Sequence, residues 1–153
     1  MTDCVFCKIA KGEIPSTKIW EDEKFYAFLD IFPNTKGMTI IIPKGHHVSD
    51  LSLMSDNDLS DFIIAAKKVM HLLKKGLGVA KVGIVAEGEG VNHAHFKLYP
   101  LHGLSAKHEG TMEVEHQFFD EYPGYITTVQ GPSANKEDLA MIAHEIRKKF
   151  GLE

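Results

Sequence analysis

The sequence has few cysteines, no long apolar stretch and no excess of basic residues, and each shortage excludes a class of protein. Only two cysteines occur among 153 residues, and Cys4 and Cys7 lie too close together to crosslink a small secreted fold. No apolar run approaches the roughly 18–20 residues that a membrane helix needs. The first residues also lack the apolar core of a secretory signal. We therefore expect a cytoplasmic protein that makes no use of a membrane.

The charge balance argues against a nucleic-acid partner. The chain carries 17 lysines and arginines against 21 acidic residues, a formal net charge of -4, and the two signs are interleaved rather than gathered into a basic stripe. Apolar residues make up 44% of the chain, which is typical of a globular protein. The length and the absence of linkers or repeats predict a single domain over residues 1–153.

Hydrophobic patterning predicts an α+β fold. Strands are predicted over residues 25–29, 37–42, 82–86, 91–99 and 125–129. The second of these is nearly continuously apolar, as expected for a central strand covered on both faces. Strands in succession with only two helices favour an antiparallel sheet.

Two amphipathic helices accompany the strands. The longer one is predicted to begin at Ser55, with Asp58 completing a capping box, and to close near Gly76. The second is predicted to begin after Asn135 and to stop at Gly151. The apolar face of the longer helix consists of Leu59, Phe62, Ile63, Ala66, Val69, Met70 and Leu73. That of the second consists of Leu139, Ile142, Ala143 and Ile146.

The chemistry is concentrated in the strand predicted over residues 91–99. Side chains alternate faces along a strand, so Ala94, Phe96 and Leu98 would pack on the helix. The opposite face would carry His93, His95, Lys97 and Tyr99. Strand positions two apart lie roughly 6.5–7 Å from each other, close enough to converge on one phosphate-sized group.

This strand resembles the histidine-triad (HIT) motif, His-φ-His-φ-His-φ-φ with φ apolar, except that Lys97 stands at the third position. Three upstream segments also resemble the family, in the same order along the chain: residues 4–15, 21–31 and 42–46. The resemblance runs from Cys4 to Pro100. It implies a HIT-like fold, an antiparallel sheet with one long central helix and a C-terminal helix, and it implies a homodimer.

The resemblance also implies a nucleotide hydrolase or nucleotidyl transferase. His95 would attack the α-phosphorus of a nucleoside phosphoramidate, dinucleoside polyphosphate or related ester and form a nucleotidyl-histidine. Its other ring nitrogen would donate to a backbone carbonyl and fix the tautomer. Asp30 would accept hydrogen bonds from the ribose hydroxyls. The nucleoside would lie against side chains that could equally be ordinary core residues: Phe6, Ile9, Phe28 and Ile31.

Two departures from the family pattern bear on catalysis. Lys97 would attract phosphate, but a lysine buffers little at neutral pH and is a poor proton donor to a leaving group. In the shortened turn over residues 86–90, Ala86 and Gly90 stand where the family places polar phosphate-binding side chains. Gly88 and Gly90 would still offer backbone N–H groups. The alternative hypothesis is a non-catalytic nucleotide-binding or sensor protein. His102, just past the strand, is a further candidate for the cleft.

Cys4 and Cys7 have a spacing that allows both thiolates to bind one metal ion. In relatives with this pattern, matching positions form a Cys2His2 zinc site, which here would contain Cys4, Cys7, His46 and His93. The adjacent His47 competes with His46 for the third position. A reduced cysteine pair that only packs, or a zinc-stabilised interaction domain without a nucleotide, are the remaining alternatives.

Overall fold

The computed structural model describes residues 3–104, 117–127 and 132–149. These fall into two compact units, one within Met1–Glu109 and one within Gly110–Glu153. The single domain expected over residues 1–153 stays a prediction. No helix in the described parts of the chain is both long enough and apolar enough to cross a bilayer.

The first unit is built on a five-stranded antiparallel sheet. In chain order its strands are β1 (Lys18–Glu21), β2 (Phe25–Leu29), β3 (Thr39–Pro43), β4 (Lys81–Val85) and β5 (Phe96–Leu101). Their spatial order is β1-β2-β3-β5-β4, and every neighbouring pair is antiparallel. Strand β3 is central and buried at all five residues, as its continuous apolar run predicts. The predicted α+β class and antiparallel sheet are confirmed.

Two helices belong to this unit: the short α1 (Val5–Ala10) and the long α2 (Asp56–Leu77). The Asp58 N–H donates to Ser55 Oγ at 3.2 Å, so the predicted cap begins α2. The predicted end near Gly76 agrees with the structure to within one residue: the helix ends at Leu77, and Gly78, with a left-handed φ of 66°, is its C-cap. Ile63, predicted to be core, is exposed on α2, and Ala65 is buried instead.

Each face of the sheet has its own apolar cluster. On one face, Phe62 of α2 stacks between Phe25 and Phe96, with ring centroids 5.4 and 4.2 Å away. Ala94, Phe96 and Leu98 belong to this cluster, as the strand alternation predicts. On the other face, residues of α1 pack against β2 and β3, in a cluster formed by Phe6, Ile9, Phe28, Ile40 and Ile42. Helix α1 therefore covers the face on which the polar side chains of β5 lie.

The strand predicted over residues 91–99 starts later than expected. Strand β5 begins at Phe96, so His93 and His95 lie in the segment that leads into it. The His93 N–H donates to the Val91 carbonyl at 2.7 Å, and the Ala94 N–H donates to the His47 carbonyl at 2.8 Å. These bonds hold the segment against the loop after β3 and divert its backbone from the sheet ladder.

The second unit contains α3 (Lys136–Lys149). The Asp138 N–H donates to Asn135 Oδ1 at 2.8 Å, which confirms the predicted start. Leu139 and Ile142, expected on its apolar face, are exposed. The strand predicted over residues 125–129 is wrong where the structure describes it, because residues 125–127 form no strand; its last two residues and Gly151 lie outside the described residues.

Candidate active site and metal-binding cluster

A cavity of about 340 Å³ lies beside α1, on the sheet face that this helix covers. Its lining includes every residue expected to bind the nucleotide, namely Phe6, Ile9, Phe28, Asp30, Ile31, Gly88 and Gly90. His95 and Lys97 line it as well. Cavities of similar volume occur elsewhere in this unit. The residues around this cavity, rather than its size, mark it as the candidate active site.

His95 is held in a defined tautomer. Its Nδ1 lies 2.7 Å from the His93 carbonyl oxygen, and because a carbonyl only accepts, Nδ1–H donates and Nε2 carries the lone pair. Phe6 packs edge-on against the ring at a centroid distance of 5.1 Å. Burial has the largest effect on the pKa of His95 and lowers it, while the hydrogen bond to the His93 carbonyl opposes this in part. The Lys97 ammonium lowers the pKa further, and the carboxylates of Asp30 and Glu87 raise it with the smallest effects, so the net direction is down. The ring is therefore neutral at pH 7, the form in which it is a nucleophile.

Acidic side chains outnumber basic ones around the cavity. Its lining contains three carboxylates, those of Asp30, Glu87 and Glu89, and one ammonium, that of Lys97. Asp30 Oδ1 accepts the Phe32 N–H at 2.8 Å, which fixes the carboxylate at the end of β2 while leaving it further acceptor capacity. Such a site suits a ligand with one anionic group and several hydrogen-bond donors better than a polyanion.

The turn over residues 86–90 packs tightly at Gly88. This glycine has a φ of 78°, and a Cβ placed on it would lie 2.8 Å from the Ser49 Cβ and 3.1 Å from the Ser49 carbonyl oxygen. The Ser49 N–H in turn donates to Asn92 Oδ1 at 3.0 Å. The loop after β3, the turn and the segment before β5 are thus joined at one point.

We expect Gly88→Ala to destabilise the protein by about 2–3 kcal/mol, from the strained φ and the clash with Ser49 together. Gly90→Ala is the matched control, because a Cβ there meets nothing within 4 Å. Denaturant unfolding of both variants measures the difference. Equal free energies of unfolding for the two variants would contradict this prediction and show that the turn accommodates the added methyl group of Gly88→Ala.

The side chains predicted to bind metal come together on the other side of His93. Cys4, Cys7, His46 and His93 each offer one ligand atom, and these atoms all lie within 4.8 Å of one another. The His93 Nδ1 is 3.4 Å from the Cys4 Sγ and 3.5 Å from the Cys7 Sγ. The His46 Nδ1 is 3.5 Å from the Cys7 Sγ.

These distances fit a tetrahedral metal ion. Zinc bonds of about 2.3 Å to sulfur and about 2.0–2.1 Å to nitrogen place an S···N pair about 3.6 Å apart, close to the values found here. The His93 Nε2–H donates to the Pro43 carbonyl at 2.9 Å, so the lone pair of this neutral ring lies on Nδ1, the atom beside the thiols. Such a second hydrogen bond is typical of a metal-binding histidine. His46 belongs to the cluster, whereas His47 lines a separate cavity with Lys24 and Asp58.

His93 does not converge with His95 and Lys97 on the cavity. It is fully buried, its two ring nitrogens face the thiols and the Pro43 carbonyl, and burial lowers its pKa. Its own carbonyl accepts from His95 Nδ1–H, so His93 orients the His95 ring. His102 is also absent from the lining: it donates to the Lys36 carbonyl at 2.8 Å and lines another cavity.

The sequence interpretation missed several lining residues, among them Val5, Leu29 and Ile40. Two of these carried a readable signal. Val5 adjoins Phe6 on α1, and Ile40 pairs directly with Phe28 across β2 and β3.

Known proteins resemble this chain over much of its length. The model of the HIT domain matches residues 11–104. An uncharacterised HIT-like protein of Methanocaldococcus jannaschii is 42% identical over 116 residues, which cover 72% of this chain and 84% of that protein. The adenosine 5'-monophosphoramidase HNT1 of Candida albicans is 41% identical over 106 residues, which cover 63% of this chain and 69% of that protein.

The fold agrees as well. The crystal structure of a HIT family member from Bacillus subtilis superimposes with a TM-score of 0.68 at 31% sequence identity, covering 96% of each chain. The antiparallel five-stranded sheet with its long helix is therefore the HIT-like fold expected from the sequence. Since the HIT domain model spans more than half of the chain, the protein belongs to the HIT family.

Proposed function

We propose that this protein is a nucleotide hydrolase or nucleotidyl transferase that acts at the α-phosphorus through a nucleotidyl-His95 intermediate. The observation that carries the proposal is His95 itself: a buried, neutral imidazole in the lining of the cavity, with Nδ1 bonded to a backbone carbonyl. Nε2 would attack phosphorus, and the bond to the leaving group would break with its electron pair. Water would then displace His95 and release the nucleoside monophosphate.

The remaining lining residues would bind the nucleotide. Asp30 would accept from the ribose hydroxyls, and the backbone N–H groups of Gly88 and Gly90 would donate to phosphate oxygens. Lys97 would neutralise the phosphate charge at the position where the family motif has its third histidine. The base would lie against the apolar part of the lining, which consists of Phe6, Ile9, Phe28 and Ile31.

We also propose that the four-residue cluster holds a structural Zn²⁺ through the sulfur atoms of Cys4 and Cys7 and the Nδ1 atoms of His46 and His93. With four protein ligands the ion would have no open position for substrate. It would stabilise the link between α1 and the segment before β5. His93 would then hold its carbonyl in place for the Nδ1–H of His95. A homodimer and a cytoplasmic location stay predictions from the sequence.

The test of the proposed function is nucleoside monophosphate release from a panel of adenosine phosphoramidate, diadenosine polyphosphates and nucleotide sugars. We expect release from at least one of them, with adenosine phosphoramidate foremost because the Candida albicans relative is named for that activity. No release from any member, together with measurable nucleotide binding, would favour the second hypothesis, a binding or sensor protein. That alternative draws its support from Lys97 and from the three carboxylates of the lining.

A further inference from the structure

The Glu87 side chain is partly buried beside the candidate active site. The residue lines the same cavity as His95 and Lys97. Its Oε1 atom is buried, and among the described residues nothing forms a hydrogen bond to it. A buried carboxylate oxygen without a donor is costly, so this atom is a candidate acceptor for a group on the ligand.

The chemistry of that ligand group follows from the acceptor. A carboxylate accepts hydrogen bonds and attracts positive charge, whereas it repels the oxygen atoms of a phosphate. Glu87 directly precedes Gly88 and shares the lining with the proposed nucleophile. The group beside Oε1 therefore belongs to the reacting end of the substrate and carries N–H or O–H donors.

The rest of the lining points to the same kind of substrate. The lining contains one lysine and three carboxylates, so Lys97 can match the charge of a single α-phosphate. Each further phosphate adds an anion without a basic partner in the lining. A dinucleoside polyphosphate brings such anions to the leaving-group side. A phosphoramidate brings a nitrogen there instead, which carries donors and becomes cationic when protonated.

We propose, resting on the proposed function, that Glu87 is a specificity-determining residue that selects amine leaving groups over polyphosphate ones. Its carboxylate accepts a hydrogen bond from the phosphoramidate nitrogen and stabilises the protonated form of that nitrogen. The His95 Nε2 lone pair forms the new P–N bond while the old P–N bond breaks. The electron pair of the bond that breaks goes to the departing nitrogen, which leaves as a neutral amine. The nitrogen takes up a proton from solvent before the old P–N bond breaks, so Lys97 has none to supply.

The experiment compares kcat/KM for adenosine phosphoramidate and diadenosine tetraphosphate in the wild type and in Glu87→Gln. Glu23→Gln is the matched control, because it removes the same charge from an exposed residue that lines a different cavity. We expect Glu87→Gln to lower the preference for phosphoramidate by about tenfold or more, and Glu23→Gln to change it less than about twofold. Equal preferences in the two variants would overturn the proposal. Glu87→Ala, with thermal melts of all variants, serves as the second variant if the buried amide disturbs folding.

A binding measurement separates this proposal from the proposed function. We expect the wild type to bind ADP about tenfold more weakly than AMP in titration calorimetry, and Glu87→Gln to reduce that gap to less than about threefold. Equal affinities of the wild type for ADP and AMP would overturn the role of Glu87 whatever the turnover. Absence of turnover in the whole substrate panel would instead contradict the proposed function. Turnover that depends on His95 with an unchanged preference would contradict only the role of Glu87.

Discussion

Replacing His95 by alanine is expected to lower kcat/KM for nucleoside monophosphate release by at least roughly 10³-fold, since the variant lacks the nucleophile of the proposed covalent step. The other residues proposed to bind the nucleotide remain, so AMP should still bind with an affinity close to that of the wild type. The decisive readouts are the rate of release and trapping of the covalent intermediate. Wild-type protein quenched in alkaline denaturant should carry a base-stable, acid-labile nucleotidyl group, and the variant should carry none.

His71→Ala is the control for this substitution. It removes the same side chain from an exposed position on α2 that does not line the cavity, and should leave turnover within about twofold. Circular dichroism and thermal melting establish that both variants are folded. If His95→Ala keeps more than a tenth of the wild-type activity while His71→Ala keeps all of it, the nucleotidyl-histidine mechanism is wrong.

Disruption of the four-residue cluster of cysteines and histidines should have the second large effect, a loss of stability. We expect the protein to bind one Zn²⁺ per chain through the four clustered side chains and to lose it in Cys7→Ser. The expected cost is at least about 3 kcal/mol in the free energy of unfolding, or a Tm lower by roughly 6–12 °C. The physical reason is that the cluster joins α1 to segments far away in the sequence. Elemental analysis and melting curves, with and without a chelator, measure the two effects.

A pair of alanine variants tests the ligand set. His46→Ala should weaken zinc binding by at least about tenfold, because the His46 Nδ1 lies within the cluster. His47→Ala should retain the ion with wild-type stoichiometry, because that side chain lines another cavity. The reverse result would mean that the neighbouring histidine is the ligand. A chain without zinc after expression in zinc-supplemented medium would contradict the site altogether.

Much of the fold could be predicted from local signals. The alternating and continuous apolar patterns located β2 and β3, and Ser55 and Asn135 located the starts of α2 and α3, because strand faces and helix caps depend on residues close together in the chain. Strand β1 was not among the predicted strands, because it has only four residues and only two of them are partly buried. The sequence offered two closely spaced glycines for the end of α2, and the structure shows that Gly78, which has the left-handed conformation, is the C-cap.

The candidate site was predicted less completely than the fold. The residue types expected in the cleft lie around the cavity, but they came from the resemblance to the family rather than from periodicity. The expectation that His93, His95 and Lys97 all face one group depended on an unbroken strand. That strand begins only at Phe96, so His93 faces the thiols instead.

The sequence by itself determined the α+β class, the long capped helix and the family, because periodicity, caps and an ordered set of motifs are properties of the chain alone. Only the tertiary structure decided which histidine joins Cys7, a contact across 39 positions in the chain, and which acid of the turn has a buried oxygen. Both depend on how distant segments pack. Neighbours such as His46 and His47 are chemically identical, and the folded backbone alone directs one toward the cysteines and the other away from them.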